Sequence, residues 1–242
     1  MIIIPARIAS SRFPNKILAD INGLPMVIAT ARRVETLDNV VIATDSGEVI
    51  KLAQEYGFKA VMTGSHHQSG TDRINEAASK LDINNDEIIV NVQADEPFIE
   101  PLVVKSVIDR MKNARENNED IMITSCYKLI DKLAANDPNH VKVITDINEN
   151  AIYFSRSKIP YDREECLEYF GHLGIYGFTK KSLQEFCNLS PAPLEHSEKL
   201  EQLRAIYHAR KIAMVRVSSE SFGIDTQEDL ERALKYFKPS HS

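Results

Sequence analysis

Arg7, Ser10, Ser11, Arg12 and Lys16 put two guanidinium groups, an ammonium and two hydroxyls into one short loop, beside the loop's own backbone amides. Such a set suits a polyphosphate, because guanidinium and ammonium donors make charge-assisted hydrogen bonds to phosphate oxygens. Gln93-Ala94-Asp95-Glu96-Pro97 brings two carboxylates together. Oxygen donors of this kind fit magnesium, which keeps several waters and needs only one or two carboxylates besides substrate phosphates. The same residues also read as an ordinary Asp-Glu-Pro turn. Asp225 is a further acid, although its place just ahead of a helical pattern is that of an N-cap aspartate. Ser69-Gly70-Thr71-Asp72-Arg73 supplies two hydroxyls, a glycine for close backbone approach and a helix start whose partial positive charge suits a phosphate or ribose oxygen. It equally has the form of a capping box with aspartate in place of glutamate.

Elements must hold these groups. Ile2–Ile4 is an unbroken β-branched run, as in a strand covered on both faces, and Pro5 is expected to end it. Pro25 opens a helix through Val34, and Val40–Ala43 is a second buried strand. Ser46 caps a helix whose Val49, Leu52, Ala53 and Tyr56 share a face, with Gly57 as its stop. A short strand follows at Lys59–Met62, then a helix with Ile74, Ala77, Ala78 and Leu81 on one stripe, then the strand-like Ile88–Val92. Beyond Pro101, Val104, Val107, Ile108 and Met111 mark a helix, and Ile121–Cys126 returns as a strand. Alternation of this kind predicts an α/β fold, a doubly wound, mostly parallel sheet. Ligands then bind at the strand carboxyl ends, where Arg7–Lys16, Thr44-Asp45 and Gln93–Glu96 converge.

The second half reads differently. Val141–Asp146, Ala151–Phe154 and His172–Phe178 look like strands without long helices between them, which predicts an antiparallel addition. A helix after Pro193 carries Leu200, Leu203 and Tyr207 on one face, a strand follows at Ile212–Val217, and a last helix carries Leu230, Ala233, Leu234 and Phe237.

A chain of 242 residues fits one large domain with an insertion, here 1–242 with an inserted region at about 130–200. A net charge of −6 and a pI near 5.7 argue against nucleic acid as the main partner. Cys126, Cys166 and Cys187 lack metal-ligand or CxxC spacing and read as reduced thiols of a cytoplasmic protein. No apolar run approaches the roughly 20 residues of a membrane span, so no membrane insertion is expected.

In order along the chain, PARIASSRFPNK, ATD, HQSGTDR, VNVQ, QADEP, YFSR, HLGIYG, PLEH, LEQLR and DTQEDLE resemble the cytidylyltransferases that activate acidic sugars, over nearly the full length. Within that family the likeness is to the branch acting on 3-deoxy-manno-octulosonate (Kdo). The resemblance implies a nucleotidyltransferase, Rossmann-like fold with an antiparallel sugar-site and dimerisation insertion. It also implies transfer of CMP from CTP to the anomeric 2-hydroxyl of Kdo, giving CMP-Kdo and pyrophosphate for lipopolysaccharide synthesis, with Mg2+ required. In this picture Arg12 and Lys16 meet the β and γ phosphates, and Asp95 and Asp225 match the magnesium carboxylates. Arg7, Ser69, Thr71, Arg73 and Gln93 fall on the nucleotide side. Arg156, His172, Tyr176, Glu201 and Gln202 fall on the sugar side, with Arg156 a fork for the Kdo carboxylate and His172 a hydroxyl partner. A homodimer is also implied, and Tyr153, Phe154, Tyr161, Tyr169 and Phe170 are aromatics of the interface type or an internal core.

Two departures stand out. The family pattern QGDEP reads here with Ala94, whose methyl disfavours positive φ. Ser221-Phe222-Gly223-Ile224 replaces a common glycine-threonine-glycine-valine pattern ahead of Asp225. Related acidic sugars, 8-amino-Kdo or a sialic acid, are alternative acceptors, with HLGIYG and LEQLR favouring Kdo over sialate. A non-catalytic nucleotide-binding module is the alternative from another class, and retention of Arg12, Lys16, Asp95 and Asp225 together argues against it.

Overall fold

Ile2, Ile3 and Ile4 expose no surface, as their continuous β-branched run requires, and they form most of β1 (Ile2–Ala6). Pro5 does not end this strand. It lacks one donor but keeps an extended backbone, so the pairing runs on to Ala6 opposite Thr44. The structure, a computed structural model, describes residues 1–8, 13–164 and 168–237. Ser10, Ser11, Arg12 and Cys166 lie outside the described residues.

After β1 a small hairpin, β2 (Asp20–Ile21) and β3 (Leu24–Pro25), turns through Asn22 and Gly23, both at positive φ, and enters α1 (Met26–Val34). β4 (Val40–Thr44) lies parallel to β1, and Ser46 caps α2 (Gly47–Glu55) by accepting the Val49 N–H at 3.4 Å. β5 (Lys59–Met62) is parallel to β4, and Ser69 caps α3 (Gly70–Lys80) by accepting the Asp72 N–H at 3.1 Å. β6 (Ile88–Asn91) and α4 (Pro101–Glu116) follow. The chain continues through β7 (Ile123–Ile130), α5 (Lys132–Asn136), β8 (Lys142–Thr145), β9 (Ala151–Ser155) and β10 (Tyr169–Thr179). α6 (Lys180–Asn188), α7 (Pro193–Glu198), α8 (Leu203–Tyr207), β11 (Ile212–Arg216) and α9 (Gln227–Tyr236) complete it.

These elements fall into two compact units, one of Met1–Ile83, Asn91–Val104 and Glu220–Ser242, the other of Asn84–Val90 and Lys105–Ser219. In the first, β1, β4 and β5 are parallel with helical crossovers, the α/β arrangement that the alternating pattern predicts. The second holds the expected antiparallel addition. There β10 runs antiparallel to β7, β8 runs antiparallel to β9 and β10, and β11 lies parallel to β7.

Three local readings are corrected. The single helix expected after Pro193 is two, because Lys199 adopts a left-handed backbone at φ 55 that ends α7 before α8 resumes. Leu200 and Leu203 are buried but Tyr207 is 54% exposed, so the three do not share one buried face. α6 has no counterpart among the expected elements; Thr179 and Ser182 cap it reciprocally. Of the aromatics, Phe154 and Tyr169 are core, whereas Tyr161 is 86% exposed. Among the described residues, Cys126 and Cys187 are thiols, and no helix is long and apolar enough to cross a membrane.

The last glycine of HLGIYG shows how tightly the second unit packs. A Cβ on Gly177 would lie 2.4 Å from Thr124 Oγ1 and 3.0 Å from Val107 Cγ1. Gly177→Ala is expected to destabilise the fold by about 1–3 kcal/mol through overpacking, read as a lowered urea midpoint at constant m-value.

Candidate active site

At the carboxyl end of β1 the first unit opens a cleft of about 340 Å³ lined by Arg7, Lys16, Ser69, Arg73, Gln93, Asp95 and Asp225 among others. A volume of this order suits a small ligand. At its centre Lys16 Nζ lies 2.5 Å from Asp95 Oδ2 and 3.0 Å from Asp225 Oδ1. Two acids far apart in the chain thus converge on one cation. Burial works to lower the Lys16 pKa, but the charge and hydrogen bond of Asp95, and then those of Asp225, outweigh it and leave it raised. The ammonium is therefore charged at all ordinary pH.

Packing explains the convergence. Lys16 opens a short 3-10 turn, Lys16–Leu18, entered through Asn15 at φ 54, with Ile17 buried. Phe13 and Ala19 on its flanks pack on a cluster of Ile21, Met26, Ala29, Ile224, Leu230 and Ala233, which Phe98 and Phe222 also join. The apolar residues of the unusual Ser221–Ile224 segment thus anchor the loop before Asp225. The Ile224 N–H donates to the Asp95 carbonyl at 2.9 Å, tying the two acidic segments directly. Ala94 is accommodated as well: it is not among the residues at positive φ, and its carbonyl accepts the Thr30 hydroxyl at 3.0 Å.

Asp225 is not the helix cap. Thr226 takes that position on α9, accepting the Asp229 N–H at 3.1 Å, while the Asp229 carboxylate accepts the N–H groups of Thr226 at 3.1 Å and Asp225 at 3.2 Å. The Asp225 carboxylate is left to meet Lys16.

The nucleotide-side candidates divide. Arg7, Ser69, Arg73 and Gln93 line the cleft, whereas Thr71 is fully buried in α3. Arg73 is itself 3% exposed, with its guanidinium bonded to Asp45 at 2.9 Å, Thr63 Oγ1 at 2.6 Å and the Gly64 carbonyl at 3.2 Å. It braces the cleft wall. Asp45, expected at the strand end with the ligand groups, is engaged by this arginine. Gln93 donates from Nε2 to Asn91 Oδ1 at 3.2 Å. A Cβ on Gly70 would meet Pro5 Cγ at 3.1 Å, so glycine is what lets the start of α3 lie against β1.

His67 also lines the cleft, a position that its residue type and spacing do not announce. Its Nε2 meets the Glu76 carboxylate, which further accepts Lys80 Nζ at 2.6 Å and the Gly64 N–H at 2.9 Å. The Lys80 hydrogen bond, followed by that from Gly64, brings the Glu76 pKa down to about 2. The one signal for His67 is its place at the head of the HQSGTDR motif.

The sugar-side candidates belong to the second unit, and three of them, Tyr176, Gln202 and His172, form a polar relay. The Tyr176 hydroxyl donates to Gln202 Oε1 at 3.1 Å, and Gln202 Nε2 reaches His172 Nδ1 at 3.5 Å. His172 Nε2 lies 2.9 Å from Ser125 Oγ, whose hydroxyl donates to the Ile175 carbonyl at 2.7 Å. With that hydroxyl proton committed, the network assigns the His172 proton to Nε2. Burial pushes the His172 pKa down to about 3, and it pushes the Tyr176 hydroxyl well up, helped by the charge of Glu201. Arg156 donates from Nε to the Glu198 carbonyl at 2.8 Å and from Nη1 to the Pro138 carbonyl at 3.0 Å. Glu198 and Ser125 carry no sequence signal.

The sequence profile of the cytidylyltransferase family matches residues 1–212. A 3-deoxy-manno-octulosonate cytidylyltransferase from a Nitratiruptor species is 58% identical over 232 residues, 96% of this chain and 97% of its own. A protein of the same name from Wolinella succinogenes is 49% identical over 245 residues, covering 99% of this chain and 100% of its own. A solved structure of CMP:2-keto-3-deoxy-manno-octonic acid synthetase complexed with CTP matches this fold with a TM-score of 0.88 at 36% identity, over 97% of this chain and 96% of that one.

The depressed His172 pKa sets a pH dependence. The unfolded ring takes a proton near pH 6.5 whereas the folded ring does so only near 3, so the stability from the neutral ring is complete above pH 6.5 and is lost as pH falls towards 3. Folding stability is expected to fall between pH 7 and 5 with a slope approaching about 1.4 kcal/mol per unit. His172→Gln should flatten that slope, as measured by denaturant titrations across the range.

Proposed function

We propose that this chain, which belongs to the cytidylyltransferase family, transfers CMP from CTP to the anomeric 2-hydroxyl of Kdo and releases pyrophosphate. One observation carries the reading: a cationic cleft in which Lys16, Asp95 and Asp225 meet, in a chain 58% identical over 96% of its length to a Kdo cytidylyltransferase.

The cleft residues account for the chemistry as follows. Arg7 and Lys16 supply positive charge to the triphosphate, and Arg12 is assigned to the same task on the resemblance. The capped start of α3 adds the partial positive charge of a helix N-terminus. Asp95 and Asp225 fit a hard divalent ion, because their oxygens already bracket a single cation. Magnesium held by them would polarise the phosphoryl oxygen and make the sugar hydroxyl easier to ionise. Lys16, relieved of the carboxylates, would stabilise the charge that develops on the departing pyrophosphate.

On the sugar side, Arg156 uses two of its five N–H donors on backbone carbonyls and has others for a substrate carboxylate. The Tyr176–Gln202–His172 relay fixes the direction of each donor and acceptor, the preorganisation that selects a sugar by its hydroxyls. The same reading makes the protein a cytoplasmic homodimer serving lipopolysaccharide synthesis. Exposed Leu133, Ile147 and Tyr161 are apolar surface of the second unit that a partner copy would cover.

Pyrophosphate release should require CTP, Kdo and magnesium together, and release without Kdo would refute the assignment. Asp95→Asn should cut kcat/KM roughly 1,000-fold with the circular dichroism spectrum unchanged, in line with a metal contribution of several kcal/mol. Lys16→Ala should raise the CTP KM more than the Kdo KM. Near-normal turnover of Asp95→Asn would remove that carboxylate from the reaction.

A further inference from the structure

Lys142 is the largest fully buried side chain with a charge in the second unit, with 0% of its surface exposed. Its ammonium has three N–H donors, and three backbone carbonyls take them: Asp137 at 2.8 Å, His140 at 2.5 Å and Arg156 at 2.6 Å. Buried lysines ordinarily sit against a carboxylate. Here neutral carbonyls fill the ammonium's bonding capacity, and burial lowers the pKa of the group.

The location gives this cost a purpose. On β8, Lys142 pairs with Ser155 of β9 on one side and with Gly171 of β10 on the other. Arg156 and His172, both on the sugar side, are the next residues after those two partners. The His172 N–H donates to the Val141 carbonyl at 2.7 Å, so the backbone beside Lys142 also sets the height of the histidine. The ammonium clamps the root of Arg156 through its carbonyl. It also clamps the Asp137–His140 turn, and that turn carries the Pro138 carbonyl that accepts Arg156 Nη1 at 3.0 Å. Glu198 completes the frame, its carboxylate accepting the Arg156 N–H at 2.9 Å and its carbonyl the Nε–H at 2.8 Å. Both ends of the arginine side chain are thereby tied to one buried cation.

We propose that Lys142 is a positioning residue for the acidic-sugar site, holding the Arg156 guanidinium in register for a substrate carboxylate without touching substrate itself. The proposal rests on the assignment of Arg156 to the sugar side. It is tested by steady-state kinetics on the full chain with Lys142→Met, Arg156→Ala and the double variant, each checked for a cooperative melt. Lys142→Met should raise the Kdo KM roughly 10- to 100-fold and leave the CTP KM within about twofold, the cost of a misplaced binding group. The double variant should be no worse than Arg156→Ala, since the lysine acts through the arginine. If Lys142→Met does not fold, Lys142→Gln, which keeps two donors, takes its place, with the same pattern expected. A normal Kdo KM in the lysine variant beside a defective Arg156→Ala would overturn the positioning role alone. So would losses that multiply in the double variant, or equal losses for CTP and Kdo, which mark a purely structural lysine. A normal Kdo KM in Arg156→Ala would overturn the sugar-side assignment, and the positioning role with it.

Discussion

Two carboxylates brought to one point of a cleft repel each other, by roughly 4 kcal/mol at 4 Å in surroundings of effective dielectric about 20. The Lys16 ammonium, seated between Asp95 and Asp225, is what makes their approach tolerable, and the first unit is organised to keep it there. The cluster around Met26, Ile224 and Leu230 holds the turn that carries Lys16 and the segment that carries Asp225 on one apolar floor. A backbone hydrogen bond from Ile224 to Asp95 sets the remaining side of the triangle. Hydrophobic packing thus works here as scaffolding for charge.

In the second unit the same end is reached by satisfied polar networks. Tyr176, Gln202, His172 and Ser125 each have a defined donor or acceptor role, and the neutral histidine follows from burial within that relay. A fully satisfied buried network of this sort rigidifies, and it penalises any rearrangement that leaves a donor unpaired. Arg156 lies outside that relay and is framed by the carbonyls of Pro138 and Glu198.

What can be read from the chain follows the range of the interaction. β5 at Lys59–Met62 and the caps of α2 and α3 are legible because period and capping are local. The pairing of Asp95 with Asp225 is legible only through the order of family motifs, and the Lys16 ion pair to both is not legible at all, since nothing in their own neighbourhoods announces it. The break at Lys199 is hidden because a left-handed lysine has no compositional mark. Pro5 misleads because a missing donor is not a missing strand. Arg73 is legible as a cleft residue, but its bond to Asp45 is not, because that pairing joins two distant segments through tertiary packing. Lys142 escapes because its partners are backbone carbonyls, which every sequence has, and Glu198 because its partners Ser155 and Arg156 are more than forty residues away in the chain.

Thr226 caps α9, and the side chain of the residue before it is not the helix cap. The two tasks that a capping aspartate would have combined are carried by neighbours, folding by the threonine and charge by the acid. The acidic side chain at position 225 lines the cleft, where it meets Lys16. The division also means that the Asp225 carboxylate can be altered without removing the side-chain cap of α9.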